Sequence, residues 1–305
     1  MVDLARLETL SRDCRVQIIR MLTHAGSGHP GGSLSVIDIV TTLLFGRMRH
    51  DPRRPDWPDR DRLVLSKGHA VPALYAAMAR AGYFPPERLI TLRKLGSPLQ
   101  GHPDRTLLPG VEAATGSLGQ GLSIAVGLAL GLRLARSPAR VYCVLGDGEI
   151  QEGQVWEAAM AAPQLGQPES PLDNLTVILD YNKIQLDDFV ARIRDVEPLA
   201  AKWQAFGWPV LEIDGHKIAE IDRALDQAEA TRGTPCCIVA HTVKGKGVSF
   251  MENNPEWHGK APKPAEALAA IREILGVSEP TWAEHLSRDA GTRAIADELR
   301  ALERR

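Results

Sequence analysis

The sequence predicts an α/β protein built on a doubly wound, mostly parallel sheet with helices on both faces. Three observations carry this. Five short apolar runs, RLVLS (62–66), VYCVLG (141–146), LTVILDY (175–181), WPVLEID (208–214) and CCIVAHT (236–242), read as strands. Near-continuous apolar strands are buried on both faces, the habit of parallel sheets. Segments of helical spacing alternate with them, which is the βαβ pattern. Finally, polar turns, four of the five with glycine, follow the runs, where such a sheet presents its carboxyl ends to a ligand.

Taken in order, Leu4, Leu7, Leu10, Cys14, Ile18 and Met21 recur at three- to four-residue spacing and predict a first helix ending before Gly26. GSGHPGG (26–32) reads as a turn-rich loop and Ser33 to Phe45 as helix. Residues 49–61 are Pro- and Asp-rich loop, 70–82 helix and 96–116 irregular. The next helix, 117–135, carries glycine at 119, 121, 127 and 131. Each interior glycine costs a helix ~1 kcal/mol. Close approach of another backbone, in the core or at a subunit interface, is the expected compensation. Helices are predicted at 151–164, 198–206, 217–231 and across 264–303. No repeat or linker interrupts the chain. It divides into a main domain, 1–262, and a C-terminal helical extension, 263–305, packed on that domain or on a partner.

The 305 residues hold 36 basic and 38 acidic side chains, a net charge of −2, with neither end strongly charged. Nucleic acid and membrane surfaces are therefore not expected partners. Cys14, Cys143, Cys236 and Cys237 form no CxxC pair and read as buried free thiols. The N-terminus lacks a signal-peptide pattern and no apolar run is long enough for a span, so a soluble cytoplasmic protein is expected.

The turns after the five runs are Ser66-Lys67-Gly68-His69, Asp147-Gly148, Asn182-Lys183, Asp214-Gly215-His216 and Lys244-Gly245-Lys246. All contain groups suited to phosphate or a metal. No GxxxxGK[ST], no strand-following GxGxxG and no GxSxG is present, which disfavours P-loop, dinucleotide and α/β-hydrolase readings. Asp147 and Asn182, at the ends of adjacent strands, supply a carboxylate and an amide, the oxygen donors a hard cation takes beside phosphate oxygens. Gly148 leaves a backbone N–H open to a phosphate oxygen.

The stretch GDGEIQEGQVWEAAM (146–160) followed by LDNLTVILDYNKIQ (172–185) resembles the thiamine-diphosphate signature of the transketolase family. SGHPGGSLS (27–35), DRLVLSKGHAVPALYA (61–76), GHPD (101–104), TGSLGQGLSIAVG (115–127) and KGKGVSFMENNPEWHGKAP (244–262) fall in the family's order. The resemblance runs from about residue 15 to 262 and implies the thiamine-diphosphate-binding fold. It implies thiamine diphosphate with Mg²⁺, or Ca²⁺ or Mn²⁺ as substitutes, and Asp147, Asn182 and the Ile184 carbonyl as metal ligands. His69, Gly116, Gly148, Lys244 and His258 resemble the diphosphate contacts, and Ser117 and Leu118 the backbone lining the aminopyrimidine. Glu152 resembles a glutamate between two cofactors. His29, His102 and His258 resemble the histidines that move protons at the donor's hydroxyls, a task suited to imidazoles with pKa near about 6.5.

A complete transketolase continues into pyrimidine-binding and C-terminal domains. The resemblance therefore implies a separate N-terminal subunit that works on sugar phosphates with a C-terminal-half partner, in an α₂β₂ assembly. The spacing between Asp147 and Asn182 exceeds the family's usual one, and the surplus reads as a surface loop, QPESP (167–171). Gly31 and Gly32 stand where some relatives carry polar residues that touch substrate. A subunit like deoxyxylulose-phosphate synthase or the 2-oxoacid dehydrogenases is the rival enzyme reading. A cofactor-binding regulatory or scaffold subunit is the non-catalytic one. GHP (101–103) and WHG (257–259) argue for sugar hydroxyls, and the intact histidines and metal ligands argue against loss of catalysis.

Overall fold

A computed structural model describes residues 2–165 and 171–304. The apolar runs become β1 (Arg62–Leu65), β2 (Val141–Gly146), β3 (Leu175–Tyr181), β4 (Val210–Asp214) and β5 (Cys236–His241). They form one sheet in the order β1-β2-β3-β5-β4, with every neighbouring pair parallel. The register sets Gly146 opposite Asp180 and Tyr181 opposite His241. The turns after β1, β2, β3 and β5 therefore reach one rim. β4 is the partly exposed edge strand.

Side chains alternate between two cores, as the pleat requires. Tyr142, Val144, Ile178 and Ile238 enter the first core, and Cys143, Leu145, Val177 and Val239 the second. The first core is covered by α1 (Leu4–Ala25), α2 (Pro30–Thr42), α3 (Val71–Ala81) and α8 (Ile218–Ala230). The second lies under α4 (Gln120–Leu134), α5 (Gly153–Ala161), the single turn α6 (Val190–Ile193) and α7 (Leu199–Ala205). Trp203 and Trp208 meet edge to face there, their ring centroids 5.0 Å apart. Cys236 and Cys237 point to opposite cores, and all four cysteines are free and buried.

The C-terminal segment folds as α9 (Pro264–Leu275), α10 (Glu279–Arg288) and α11 (Ala290–Glu303). Ile271, Trp282, Leu286 and Leu299 belong to the first core, and Arg20 on α1 grips Glu298 through two bonds of 2.8 and 2.7 Å. Among the described residues no helix is long and apolar enough to cross a membrane.

Two predicted boundaries move. α2 begins at Pro30, so Pro30, Gly31 and Gly32 are helical and His29 is its N-cap residue. Proline suits the first helical position because its fixed φ is already helical and its missing N–H is not needed there. α4 begins at Gln120, leaving Ser117 to Gly119 as a turn. The surplus segment 167–171 lies outside the described residues except for Pro171.

The glycines of α4 divide by environment. A Cβ on Gly121 would collide with the Ser66 side chain and lie 2.7 Å from Ser66 Cα, whereas one on Gly127 or Gly131 would meet nothing within 4 Å. The helix packs against the end of β1 at its start and turns an open face outward beyond it. In denaturant melts Gly121→Ala is expected to lose stability by ~1–3 kcal/mol through overpacking. Gly127→Ala and Gly131→Ala are each expected to gain up to ~1 kcal/mol from helix propensity. Equal effects at the three positions would contradict this division.

Candidate active site

A cavity of about 240 Å³ opens at the rim formed by the ends of β1, β2, β3 and β5. His29, His69, His102, Gly116, Leu118, Asp147, Gly148, Asn182, Ile184, Lys244 and His258 all line it, joined by Lys67, Glu149, Gln185 and Leu186. Of the residues given a cofactor or catalytic role from sequence, Ser117 and Glu152 stay outside the lining, and both are exposed; the turn Asp214-Gly215-His216 also lies outside it. A larger cavity, about 410 Å³, lies between α1, α3 and the C-terminal helices and contains none of them.

The cavity floor is a set of oxygen donors fixed by hydrogen bonds. Asp147 is 2% exposed; its Oδ1 accepts the Gly148 N–H at 2.8 Å and its Oδ2 accepts the Lys183 N–H. Lys183 sits at φ 70°. That left-handed conformation costs a residue with a side chain about 1–2 kcal/mol, and the bond to Asp147 holds it. Asn182 Nδ2 donates to Asp180 at 3.2 Å and to Ser35 at 3.3 Å, which fixes the amide so that Oδ1 accepts the Ile184 N–H at 3.1 Å. The Ile184 carbonyl accepts Lys244 Nζ at 2.8 Å, and the same ammonium reaches His258 Nδ1 at 2.7 Å.

Charge on this floor is unbalanced. Burial, and then the neighbouring Asp180, push the Asp147 carboxyl above its usual range, while burial and then Lys67 push Lys244 below its own. One carboxylate, one amide oxygen and one backbone carbonyl are the protein share of an Mg²⁺ site completed by phosphate oxygens. Among the described residues no three His, Cys, Asp or Glu side chains converge on a metal, and His24 pairs with Glu298. Gly148 has helical φ; its Cβ position would lie 2.8 Å from Gln185 Cβ, so space rather than φ requires the glycine, and its N–H, expected from sequence to stand open, is taken by Asp147 Oδ1.

Glu149 has a structural task. Its Oε1 accepts the Gly119 N–H at 2.9 Å and the Ser66 hydroxyl, and its Oε2 accepts the Gly146 N–H at 3.0 Å. It ties the end of β2 to the start of α4.

Four histidines surround the cavity. Ring centroids lie 5.2 Å apart for His29–His69, 6.3 Å for His29–His102, 5.3 Å for His29–His258 and 5.2 Å for His69–His258. Gly116, at φ 134°, admits His102: a Cβ there would lie 2.7 Å from the ring. Gly31 and Gly32 are likewise spacers, with Cβ positions 2.9 Å from Lys244 Cγ and 3.4 Å from His69 Nε2. Burial is the main force on all four rings, and the cations Arg93, Lys67 and Lys244 add to it. His29 is pushed down to about 4 and His258 to about 3, and His69 and His102 shift the same way. All four are neutral near pH 7. His29 Nδ1 is buried with no hydrogen-bond partner among the described residues.

Lys67, which the sequence places only in a polar turn, and Asp180 are site residues that the motifs leave without a role. They form an ion pair with side chains 1% and 0% exposed. The signal was present: a carboxylate two residues before Asn182 in an apolar strand needs a cation.

A family model described as transketolase, thiamine diphosphate binding domain, matches residues 8–289. The chain is 46% identical over 265 residues to the 6-deoxy-6-sulfo-D-fructose transketolase subunit SqwG of Clostridium sp. (strain MSTE9), covering 85% of this chain and 94% of that protein. It is 39% identical over 268 residues to a Phocaeicola vulgatus protein named as one of the subunits of apulose-4-phosphate transketolase, covering 88% and 93%. Among solved structures, Campylobacter jejuni transketolase superposes with a TM-score of 0.83 at 35% identity, over 90% of this chain but 43% of that one.

The histidine cluster has a consequence for acid stability. Its folded pKa values lie below the ordinary 6.5, so the unfolded chain binds more protons as pH falls. The share of stability held by neutral His29 and His258 is present above pH 6.5 and is lost between there and about 4 and 3 respectively. Melts of the cofactor-free protein across pH 7 to 4 are expected to show a shallower fall for His258→Gln than for the native chain. Parallel curves would contradict the buried neutral ring.

Proposed function

The chain belongs to the transketolase family, and on that premise we propose that it is the thiamine-diphosphate- and Mg²⁺-binding half of a two-subunit transketolase. It moves a two-carbon ketol unit from a ketose phosphate, or a ketose with another anionic end, to an aldose phosphate. The observation that carries this reading is the meeting of four neutral histidines, Lys244 and the donor set Asp147, Asn182 and Ile184 in one cavity.

In this reading Asp147, Asn182 and the Ile184 carbonyl hold the metal. His69, Gly116, Gly148, Lys244 and His258 hold the diphosphate, and the backbone at Ser117 and Leu118 borders the aminopyrimidine. Glu152, exposed at the start of α5, is free to face a second cofactor across an assembly. Thiamine diphosphate, when bound, supplies the carbon nucleophile and the electron sink for the ketol fragment.

The chain's own side chains bind, orient and move protons. His29, His102 and His258 face the sugar hydroxyls. A neutral imidazole takes the hydroxyl proton as the C–C bond breaks and returns it when the acceptor aldehyde is joined. His258 receives Lys244 Nζ at its Nδ1, so the proton it offers a substrate is on Nε2. The depressed basicities keep all three rings neutral at neutral pH, with His258 placed to donate and the accepting role left to His29 and His102.

A partner requirement has chemical support. The carboxylates that line the cavity, Asp147 and Glu149, are both engaged by backbone N–H groups. Neither is free to activate the cofactor's aminopyrimidine, which supports a reading in which a partner carrying the pyrimidine-binding domain supplies that carboxylate. The coverage of relatives fits: nearly the whole of proteins named as subunits, and less than half of the Campylobacter transketolase.

The test is reconstitution. With xylulose 5-phosphate, ribose 5-phosphate, thiamine diphosphate and Mg²⁺, the chain alone is expected to show no ketol transfer. Adding the polypeptide with the pyrimidine-binding and C-terminal domains is expected to restore turnover, saturating near equimolar and consistent with α₂β₂. Robust turnover by the chain alone, free of host transketolase, would overturn the two-subunit reading.

A further inference from the structure

One buried polar network lies outside the cavity and touches none of the residues assigned to metal. Arg15 on α1 grips Asp38 on α2 through two parallel bonds, Nη1 to Oδ1 at 2.9 Å and Nη2 to Oδ2 at 2.6 Å. Asp38 Oδ2 also meets His216 Nδ1 at 2.8 Å, and the Val243 backbone N–H donates to His216 Nε2 at 2.8 Å. Side-chain exposures are 11% for Arg15, 6% for Asp38 and 12% for His216.

The bonding settles the tautomer. Nε2 accepts an amide proton and so carries none; the ring proton is on Nδ1 and points at Asp38. Burial opposes charge on Asp38, but Arg15 and then His216 outweigh it and hold the carboxyl down to about 2. His216 thus bridges an ionised carboxylate and the backbone of the residue preceding Lys244. Two further bonds close the same loop onto the helices: Arg15 Nε to the Lys246 carbonyl at 3.3 Å, and the Gly245 N–H to the Gly31 carbonyl at 3.0 Å.

We propose that His216, oriented by Asp38 and Arg15, is a positioning residue that locks the 243–247 loop to α1 and α2 and thereby places Lys244 in the cavity. The proposal rests on the reading of Lys244 as a diphosphate contact. Without the lock, the Val243 N–H loses its partner and the loop can move, taking the Lys244 ammonium away from Ile184 and His258. Sequence spacing gives no sign of this contact, since Asp38 lies 178 residues away.

The experiment measures thiamine diphosphate affinity by calorimetry, with Mg²⁺, on the chain assembled with its partner polypeptide, together with kcat at saturating cofactor. His216→Asn keeps the group that reaches Asp38 and removes the acceptor for Val243. His216→Gln can present both a donor and an acceptor. Outer-shell groups of this kind change affinity about 10–100-fold when removed. His216→Asn is expected to weaken cofactor binding at least about tenfold, with kcat within about threefold and His216→Gln close to native. In a Lys244→Met background the same substitution is expected to add less than about twofold, because the lock then has nothing to place.

Native affinity in His216→Asn, or an undiminished loss in the Lys244→Met background, would overturn the proposal. If His216→Asn does not fold, Arg15→Lys keeps the charge and gives up the fork: weakened affinity there supports the lock, and native affinity overturns it. Unchanged affinity in Lys244→Met alone would overturn the diphosphate reading itself, a different result from failure of the lock.

Discussion

The carboxylate of Asp180 is fully buried at the carboxyl end of β3, where no water can solvate it. It is held by donors from four segments: Ser35 on α2 at 2.6 Å, Lys67 after β1, Asn182 beyond β3 at 3.2 Å, and Thr242 after β5. Burial works against the charge, yet Lys67 and the hydroxyls outweigh it and hold the carboxyl below its usual range. Removing one partner of such a buried pair costs about 3–5 kcal/mol because the other charge is left uncompensated. The interaction therefore fixes where α2 and three strand ends meet, and that meeting point is the cavity. Asn182 takes its orientation from Asp180 directly, and His29 stands at the start of the helix that Ser35 anchors.

The electrostatic character of the site follows from the same packing. Lys67 is paired with Asp180, and burial and Asp180 push the Asp147 carboxyl toward neutrality against the pull of Lys244 and Lys67. Burial, and then Lys67, push Lys244 toward neutrality as well, by lowering its basicity. A pocket with an undercompensated carboxylate on one side and a strained ammonium on the other suits a divalent cation and a polyanion bound together, each stabilising the group of opposite sign. The histidines above this floor, three of them half-buried and His102 more exposed, lie near cations and stay neutral. The proposed metal, diphosphate and proton-transfer roles are in this sense a single electrostatic arrangement.

Much of this was legible in the chain. The five strands follow from apolar runs, and the rim from the polar turns after them, since a parallel sheet places its carboxyl ends together. What was not legible depends on long-range packing. Asp180 finds its partners Ser35, Lys67 and Thr242 across 145, 113 and 62 residues of sequence. GHPGG looks like a turn because glycine and proline usually mark one. Here Pro30 opens a helix, and the glycines leave room for Lys244 and His69. Four glycines in the predicted helix 117–135 suggest close backbone approach, which is true of Gly121 against Ser66 and not of Gly127 or Gly131. Spacing alone cannot separate these cases.

The central claim is that the donors at the ends of β2 and β3 form a metal–diphosphate site built around Asp147, and it is tested most directly by the Mg²⁺-dependent affinity for thiamine diphosphate. The measurement is calorimetric titration of the assembled protein, native against Asp147→Ala, with and without Mg²⁺. The expected result is a loss of at least about a hundredfold, ~3 kcal/mol, together with loss of the Mg²⁺ dependence. Unchanged affinity in Asp147→Ala, with the Mg²⁺ dependence intact, would contradict the claim.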